Sequence, residues 1–259
     1  MDDRRPTILI TRPKQRAEEF AALLVEHGCE VIHIPMIRIV PPESWDALDH
    51  ALQHIDEFDG IIFTSANAVD FFYQRMNAIS IGIPLRTLCY AVGEKTASTM
   101  QAHEIECTLI PDSYNAVSLA RSITDASGKR FLLPQSDIAR DELGAILRTS
   151  GAMVEEIVVY RTTLPTDDAQ AHLRSLLQSG AVDCISFFSP SSVINFLKLV
   201  PRFEQRDIAL ATIGETTAQT IMRMGLRVDI VAPHATSPSL AAAIIERFFT
   251  TWRARNLVG

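Results

Sequence analysis

The sequence predicts an α/β protein built from duplicated strand–turn–helix units, on the strength of three observations. Short apolar segments alternate with amphipathic helical segments along the chain, which is typical of strands and helices that form a parallel sheet. Three modules of the first half recur in the same order in the second half. The chain has 259 residues, 47% of them hydrophobic and 21% charged, which suffices for one large domain or two of ordinary size.

The first module begins with a buried strand over Thr7-Ile8-Leu9-Ile10. The segment from Arg16 to His27 carries its apolar residues on one face, which predicts a helix. Gly28 follows in the position where a left-handed residue commonly ends a helix. The segment from Val31 to Val40 is then predicted to be extended, with an interruption at Pro35.

The other elements of the first half continue this alternation. A polar helix is predicted over 44–55, a buried strand over 60–63 and a helix over 68–76. A strand over 88–92 then runs into a turn at Gly93 and a further helix. The second half repeats these elements.

The repeat consists of matched residues at a nearly constant separation. Gly28 matches Gly151, 123 residues later. Segment 63–69 matches 187–193 at a separation of 124, and segment 92–97 matches 213–218 at 121. We infer an internal duplication. The pattern leaves two lobe compositions open: a division near residue 127, or an exchange in which each half gives its first module to the other lobe.

Composition argues against several classes of protein. A formal net charge of −7 with dispersed basic residues does not suit a nucleic-acid-binding protein. No stretch approaches the ~18 apolar residues that a membrane span requires. The four cysteines are widely spaced and the N-terminal residues lack a signal-peptide pattern, so a cytoplasmic protein with reduced core thiols is expected. We therefore expect no nucleic-acid partner and no membrane partner.

Metal and nucleotide sites are not expected either. Gly93 and Gly214 are single glycines without the spacing of phosphate-binding loops. His50 and His54 share a helix face, but no further His or Cys completes a coordination shell. No GxSxG motif predicts a serine nucleophile. The expectation is a protein without metal or cofactor.

Small polar residues follow the predicted strands, where helices begin. Open α/β sheets bind ligands at this edge, and free N–H groups with the helix dipole favour carboxylate or phosphate there. The same residue types are preferred helix caps, so both roles stay open at each junction. The candidates are Ser65, Asn67, Gly93, Thr96, Ser189, Ser191, Gly214, Thr216 and Thr217.

Two further residues are candidates for chemistry. Arg12 follows the first strand, where a guanidinium can meet an anion. Tyr160 lies in the extended apolar segment 158–162. A tyrosine in a strand usually packs against its neighbours, but one that faces a ligand can donate a proton or a hydrogen bond.

Six short motifs occur in order along the chain: Ile10-Thr11-Arg12-Pro13, Phe63-Thr64-Ser65-Ala66-Asn67-Ala68-Val69, Ala91-Val92-Gly93-Glu94-Lys95-Thr96-Ala97, Val159-Tyr160-Arg161-Thr162, Phe188-Ser189-Pro190-Ser191 and Ile213-Gly214-Glu215-Thr216-Thr217-Ala218. Each is short, but their number, order and spacing are specific as a set. Over almost its whole length the chain resembles the uroporphyrinogen-III synthases, the cyclising enzymes of tetrapyrrole and heme biosynthesis.

The resemblance implies the exchanged arrangement. The fold would have two similar lobes, each a parallel sheet flanked by helices, joined by two extended linker strands. One lobe would comprise residues 1–36 and 165–259, and the other residues 41–156. The linkers would lie near 36–40 and 156–164.

The resemblance also implies the reaction and the roles of the candidates. Hydroxymethylbilane, a linear tetrapyrrole with eight carboxylates, would lose water and close to uroporphyrinogen III, with inversion of the last ring through a spiro intermediate and without a cofactor. Tyr160 would assist departure of the hydroxyl group. The polar residues at the junctions would bind the substrate, and Arg12 would contact a carboxylate.

One departure from the family pattern stands out. Leu133-Pro134-Gln135-Ser136 occupies a place where many relatives carry an Arg-Gly pair. A basic contact is therefore in doubt there, and Arg140 is the replacement that the sequence offers.

The alternative function is a non-catalytic two-lobed binding or sensor protein for a small polycarboxylate. For the synthase we expect a monomer. A transient contact with the enzyme that supplies hydroxymethylbilane is also expected.

Overall fold

A computed structural model describes residues 4–14 and 17–250 of the chain. Arg16, at the predicted start of the first helix, lies outside the described residues, as do 251–259 of the C-terminal tail. The chain divides into two compact units. Unit 1 takes its described residues from Met1–Arg38 and Thr163–Gly259, and unit 2 is Ile39–Thr162.

Strands and helices alternate through the described part of the chain. The strands are β1 (Thr7–Ile10), β2 (Glu30–His33), β3 (Arg38–Val40), β4 (Gly60–Phe63), β5 (Leu88–Ala91), β6 (Arg130–Ser136), β7 (Met153–Thr163), β8 (Cys184–Phe187), β9 (Ala209–Thr212) and β10 (Ile230–Val231). The α-helices are α1 (Glu18–Glu26), α2 (Asp46–Gln53), α3 (Ala66–Ala78), α4 (Glu94–Ala102), α5 (Ala116–Ser122), α6 (Glu142–Thr149), α7 (Asp167–Gln178), α8 (Pro190–Leu199), α9 (Glu215–Arg223) and α10 (Ser237–Ile245). The predicted elements of the first half are present, with ends that differ by a few residues.

Each unit is built on one five-stranded sheet. The order in unit 1 is β10-β9-β8-β1-β2, and all of its neighbouring strands are parallel. The order in unit 2 is β3-β7-β6-β4-β5, where β7, β6, β4 and β5 pair in parallel. Both sheets therefore mix strands from the two halves of the sequence, which is the exchanged arrangement.

The buried strands explain why the apolar runs are continuous. Helices cover both faces of a parallel sheet, so central strands are apolar on both sides. In β1, Ile8 and Ile10 pack into a core with Phe20 of α1, whereas Leu9 packs on the other face with Phe196 of α8. Unit 2 has the same division into two cores, one on each face of its sheet.

The duplicated positions have matching geometry. Gly28 and Gly151 have φ values of +86° and +87°, the left-handed region that favours glycine. The rings of Phe63 and Phe72 meet edge to face at 5.3 Å, and those of Phe187 and Phe196, 124 residues later, at 5.5 Å. The inferred duplication is therefore visible in side-chain packing as well as in sequence.

The segments expected to be extended linkers contain strands that belong to the sheet of unit 2. Residues 153–163 form one long strand, and as far as Tyr160 it is paired with β6 inside the sheet of unit 2. Residues 38–40 form β3, which belongs to the same sheet. Among the described residues, no helix has the length and apolar character needed to cross a membrane.

Candidate active site

The candidate residues of unit 2 lie where β4 and β5 end and the next helices begin. Ser65 is the N-cap of α3, and its Oγ accepts a hydrogen bond from the N–H of Ala68 at 3.1 Å. Asn67 lies in the first turn of the same helix. The capping role left open by the sequence is thus real for Ser65, because its oxygen satisfies one of the free N–H groups of the helix.

Tyr160 reaches this same junction from β7. Its hydroxyl oxygen lies 3.2 Å from Ser65 Oγ, and either atom can be the donor. Its ring stacks on Phe71 of α3, with centroids 5.8 Å apart and planes inclined by 21°. Tyr160 is 8% exposed. Packing and a polar contact therefore coexist in one residue, with the phenol held at the carboxyl edge of the sheet.

Gly93 is crowded by a neighbouring side chain, although its backbone conformation is ordinary. Its φ of −174° is extended backbone that any residue adopts. A Cβ at this position would lie 3.1 Å from the ring of Tyr114, so a side chain here requires that ring to move by a few tenths of an ångström. The Tyr114 hydroxyl donates to Glu94 at 2.7 Å, and this bond to a carboxylate raises the pKa of Tyr114. Thr96, in the first turn of α4, is buried.

Unit 1 repeats these junctions after β8 and β9. Ser189 caps α8 in a reciprocal arrangement with Ser192, and its Oγ also lies 3.0 Å from Ser191 Oγ. Gly214 caps α9 in an extended conformation. Thr217 is buried like Thr96, while Thr216 is exposed.

Arg12 is placed at the same edge by β1. Its guanidinium lies 4.5 Å from the centroid of the Phe188 ring, and its Nη1 donates to Ser237 Oγ at 3.1 Å. The Nε2 of His33, at the end of β2, forms a hydrogen bond with the carbonyl oxygen of Arg12. Burial is the main cause that lowers the pKa of His33. The aromatic ring and the serine hold the guanidinium in place.

The segment that departs from the family pattern, Leu133–Ser136, makes a polar contact through Gln135. Gln135 Nε2 donates to Glu156 at 2.9 Å, and Arg148 Nη2 bonds the other carboxylate oxygen of Glu156 at 2.6 Å. Arg140 is exposed in the turn that follows β6. Arg148 therefore shares the Glu156 carboxylate with Gln135, a contact that the sequence did not indicate.

The described residues contain no group of three or more His, Cys, Asp or Glu side chains that could hold a metal ion. His50 and His54 instead face one another, with ring centroids 4.5 Å apart. All four cysteines are free, and burial raises the pKa of Cys29 to about 11 and that of Cys89 to about 12. Thiolate nucleophiles are therefore disfavoured at these two positions.

Comparisons with known proteins show the family of the chain. A family model described as uroporphyrinogen-III synthase HemD matches residues 18–242. The chain belongs to the uroporphyrinogen-III synthase family.

Relatives that match over nearly their full length carry the same name. The uroporphyrinogen-III synthase of Chlorobaculum parvum is 30% identical over 246 residues, covering 93% of this chain and 98% of the relative. That of Synechococcus elongatus is 33% identical over 253 residues, covering 92% and 94%.

Solved structures of uroporphyrinogen III synthases share the fold. A mutant of the Thermus thermophilus protein matches with a TM-score of 0.62 at 17% identity, covering 95% of this chain and 99% of that one. The Helicobacter pylori protein matches with a TM-score of 0.59 at 19% identity, covering 94% and 100%.

In this member of the uroporphyrinogen-III synthase family, the candidates form one group in each unit. Unit 2 brings Tyr160 and Ser65 into contact, with Gly93 at the neighbouring strand end. Unit 1 places Arg12, Ser189 and Gly214 after β1, β8 and β9, which are adjacent strands. Each group offers hydroxyl groups and helix N-termini at one sheet edge, a chemistry that suits carboxylates.

Sequence reasoning missed several residues that complete this uroporphyrinogen-III synthase fold at the candidate site. They are His33, Phe71, Asp137 and Ser237. His33 and Asp137 end or follow a strand, so a search of every strand end would have found both. Phe71 and Ser237 are recognisable only from the contacts they make across the fold.

Proposed function

We propose that this chain catalyses the closure of hydroxymethylbilane to uroporphyrinogen III, with loss of water and inversion of the last pyrrole ring. The observation that carries the proposal is the family match over residues 18–242. The relatives named uroporphyrinogen-III synthase cover almost the whole chain, so the activity is proposed for this chain as it stands. No observation favours a non-catalytic polycarboxylate receptor.

The residues suit a reaction in which the substrate supplies the electrons. The pyrrole nitrogen expels the terminal hydroxyl as water, and the resulting azafulvene is attacked by the far ring at its substituted carbon. Reopening of the spiro intermediate and closure at the other position invert that ring. No protein nucleophile enters these steps, and the main demand is the choice between two ring closures.

Tyr160 is proposed as the group that assists departure of the hydroxyl. A phenol can act as a general acid, although a weak one. Its contact with Ser65 Oγ, at 3.2 Å, fixes the place of the hydroxyl oxygen. A weak acid is sufficient here because the pyrrole nitrogen supplies the electrons that expel the hydroxyl group, and the acid needs only to give a proton to the departing oxygen.

The junction residues are proposed to bind the substrate carboxylates. In unit 1 these are Arg12, Ser189, Ser191, Gly214, Thr216 and Thr217, and in unit 2 they are Ser65, Asn67, Gly93 and Thr96. Thr96 and Thr217 are buried, and their backbone N–H groups donate to the carbonyl oxygens of Gly93 at 3.0 Å and Gly214 at 3.2 Å. A hundredfold preference for one closure needs only about 2.7 kcal/mol between the barriers, which positioning of a flexible chain can supply.

The deciding experiment is a coupled assay. Hydroxymethylbilane is generated in place, this protein is added, and the products are oxidised and separated as porphyrin isomers. Isomer III in excess over the control without protein supports the proposal. Isomer I alone, from folded protein, rejects it and favours the polycarboxylate-binding alternative.

We also propose that the protein acts as a cytoplasmic monomer that meets the hydroxymethylbilane-supplying enzyme transiently. The four free cysteines suit a reducing compartment. Light scattering on the purified protein tests the monomer, and a mass of twice 28.7 kDa contradicts it.

A further inference from the structure

Asp137 contacts the chain on both sides of Arg161, at the end of β7. Its backbone N–H donates to the carbonyl oxygen of Tyr160 at 3.2 Å. Its Oδ1 accepts the N–H of Thr162 at 3.0 Å and the hydroxyl of Ser136 at 3.0 Å. One residue thus holds the peptide groups of both 160 and 162.

The pairing of β6 with β7 is irregular at this point. Gln135 pairs with Val158, but the next residue, Ser136, pairs with Tyr160. Val159 is the extra residue, so β7 carries a bulge. Bulges turn side chains to new directions and are common beside active sites.

The bulge explains the burial of Tyr160. In a regular strand, residues two apart share one face. Val158 is 38% exposed, whereas Tyr160 is 8% exposed and stacked on Phe71. The direction of the phenol therefore depends on the local shape of β7 after Val158.

The pairing of β7 with β6 ends at Tyr160, before the last residues of β7. β6 stops at Ser136, and the Thr162 N–H has the Asp137 carboxylate as its acceptor instead of a strand carbonyl. Without that acceptor, the Asp137 side of this contact keeps the bond from its backbone N–H to the Tyr160 carbonyl oxygen. A carboxylate accepts such bonds more strongly than a neutral oxygen does.

We propose that Asp137 is a positioning residue that holds the end of β7 so that the phenol of Tyr160 stays beside Ser65. The catalytic consequence rests on the proposed synthase activity. The structural consequence, a change in the surroundings of the Tyr160 ring when the carboxylate is removed, does not rest on it.

The test uses Asp137→Ala and Asp137→Asn in the full chain, with Asp125→Ala as the matched control. Asp125 forms an exposed ion pair with Lys129 in the same unit. Asp137→Ala is expected to lower kcat about tenfold with KM changed less than about twofold, since small displacements of a catalytic group are costly. Asp137→Asn keeps an acceptor oxygen and is expected to restore most of kcat, and Asp125→Ala is expected to leave both constants unchanged.

A double-mutant cycle separates positioning from general stability. In a Tyr160→Phe background, Asp137→Ala is expected to cause little further loss of kcat, because the group that it positions is gone. An equal loss in both backgrounds overturns the proposal. So does full activity of Asp137→Ala, or of Tyr160→Phe alone.

A spectroscopic measurement tests the positioning role of Asp137 without an activity assay. The chain has four tyrosines, so 3-fluorotyrosine labelling gives a simple ¹⁹F NMR spectrum in which Tyr160→Phe assigns one resonance. Asp137→Ala is expected to shift or broaden that resonance, and Asp137→Asn to return it. If the resonance of Tyr160 does not move in Asp137→Ala, the positioning role is overturned. If the wild-type protein yields only isomer I, the synthase proposal is rejected, and the ¹⁹F spectrum still decides the role of Asp137.

Discussion

The hydroxyl oxygens of Tyr160 and Ser65 lie 3.2 Å apart although 95 residues separate them in the chain. The Ser65 oxygen also accepts the first N–H bond of α3, from Ala68. One atom therefore begins a helix and orients the phenol. Ser65, predicted as a substrate contact, is also the polar partner of the proposed acid.

Removal of the Tyr160 hydroxyl tests this relationship. We expect Tyr160→Phe to lower the rate of isomer III formation about tenfold, a partial loss, because catalysis by positioning is spread over many contacts. The ring still stacks on Phe71, so the free energy of unfolding is expected to fall by only about 1 kcal/mol. Initial rates in the coupled assay and urea unfolding measure the two effects. A rate equal to wild type removes Tyr160 from the mechanism.

Gly28 and Gly151 occupy matched positions of the duplication and both have a left-handed backbone. Their replacement by alanine compares the two positions by the free energy of unfolding. Gly28→Ala is expected to cost about 1–2 kcal/mol of unfolding free energy, because φ of +86° is strained for alanine and the added Cβ meets nothing closer than 3.7 Å. Gly151→Ala is expected to cost more, because its Cβ would lie 2.9 Å from Ser127 Oγ. Urea denaturation of both variants gives the comparison. Equal costs would contradict the role of Ser127.

His33 predicts a pH dependence of stability. Burial lowers its pKa in the folded protein, so between that value and the unfolded value near 6.5 the unfolded chain binds more protons. Stability is therefore expected to rise with pH through this window and to be lost as pH falls, by at most about 1.4 kcal/mol per pH unit from one proton.

Unfolding measured from pH 5 to 8 checks this effect. His33→Gln is expected to flatten the dependence. His27→Gln is the control, because the imidazole of His27 is exposed and bonds its own helix. A pH profile that is the same in His33→Gln and wild type would assign the dependence to other groups.

The cysteines are expected to be poorly reactive in the folded protein. Burial raises the pKa of Cys29 to about 11, that of Cys89 to about 12, and raises those of Cys107 and Cys184 as well. Only Cys107 is partly accessible. A thiol-specific disulfide reagent at pH 8 is expected to titrate at most one thiol in the folded protein and all four in denaturant. Rapid reaction of two or more would show that a unit opens easily.

Much of the fold could be predicted from sequence because its signals are local. The strand 60–63 is a short apolar run bounded by polar residues, and the structure has β4 at Gly60–Phe63. The helix predicted over 68–76 extends from Ala66 to Ala78, because Ser65 rather than Asn67 supplies the cap. Boundaries differ where a cap depends on which of several polar residues turns toward the helix.

The candidate site could be predicted only in part. Arg12, Ser189 and Gly214 follow strands, so their edge of the sheet was predictable. The stacking of Arg12 on Phe188, the crowding of Gly93 by Tyr114 and the bulge before Tyr160 were not. These features depend on contacts between residues far apart in sequence, which no local pattern records.

The sequence by itself determined the alternation of strands and helices, the duplication and the strand ends at which ligand-binding residues gather, because apolar periodicity and helix caps act within a few residues. Only the tertiary structure decided which copy of each module pairs with which. The two halves carry similar strands, so β1 beside β8 and β1 beside β4 are alike as local patterns. Long-range packing places β1 against β8 and β4 against β6, and this exchange is what brings Tyr160 to Ser65.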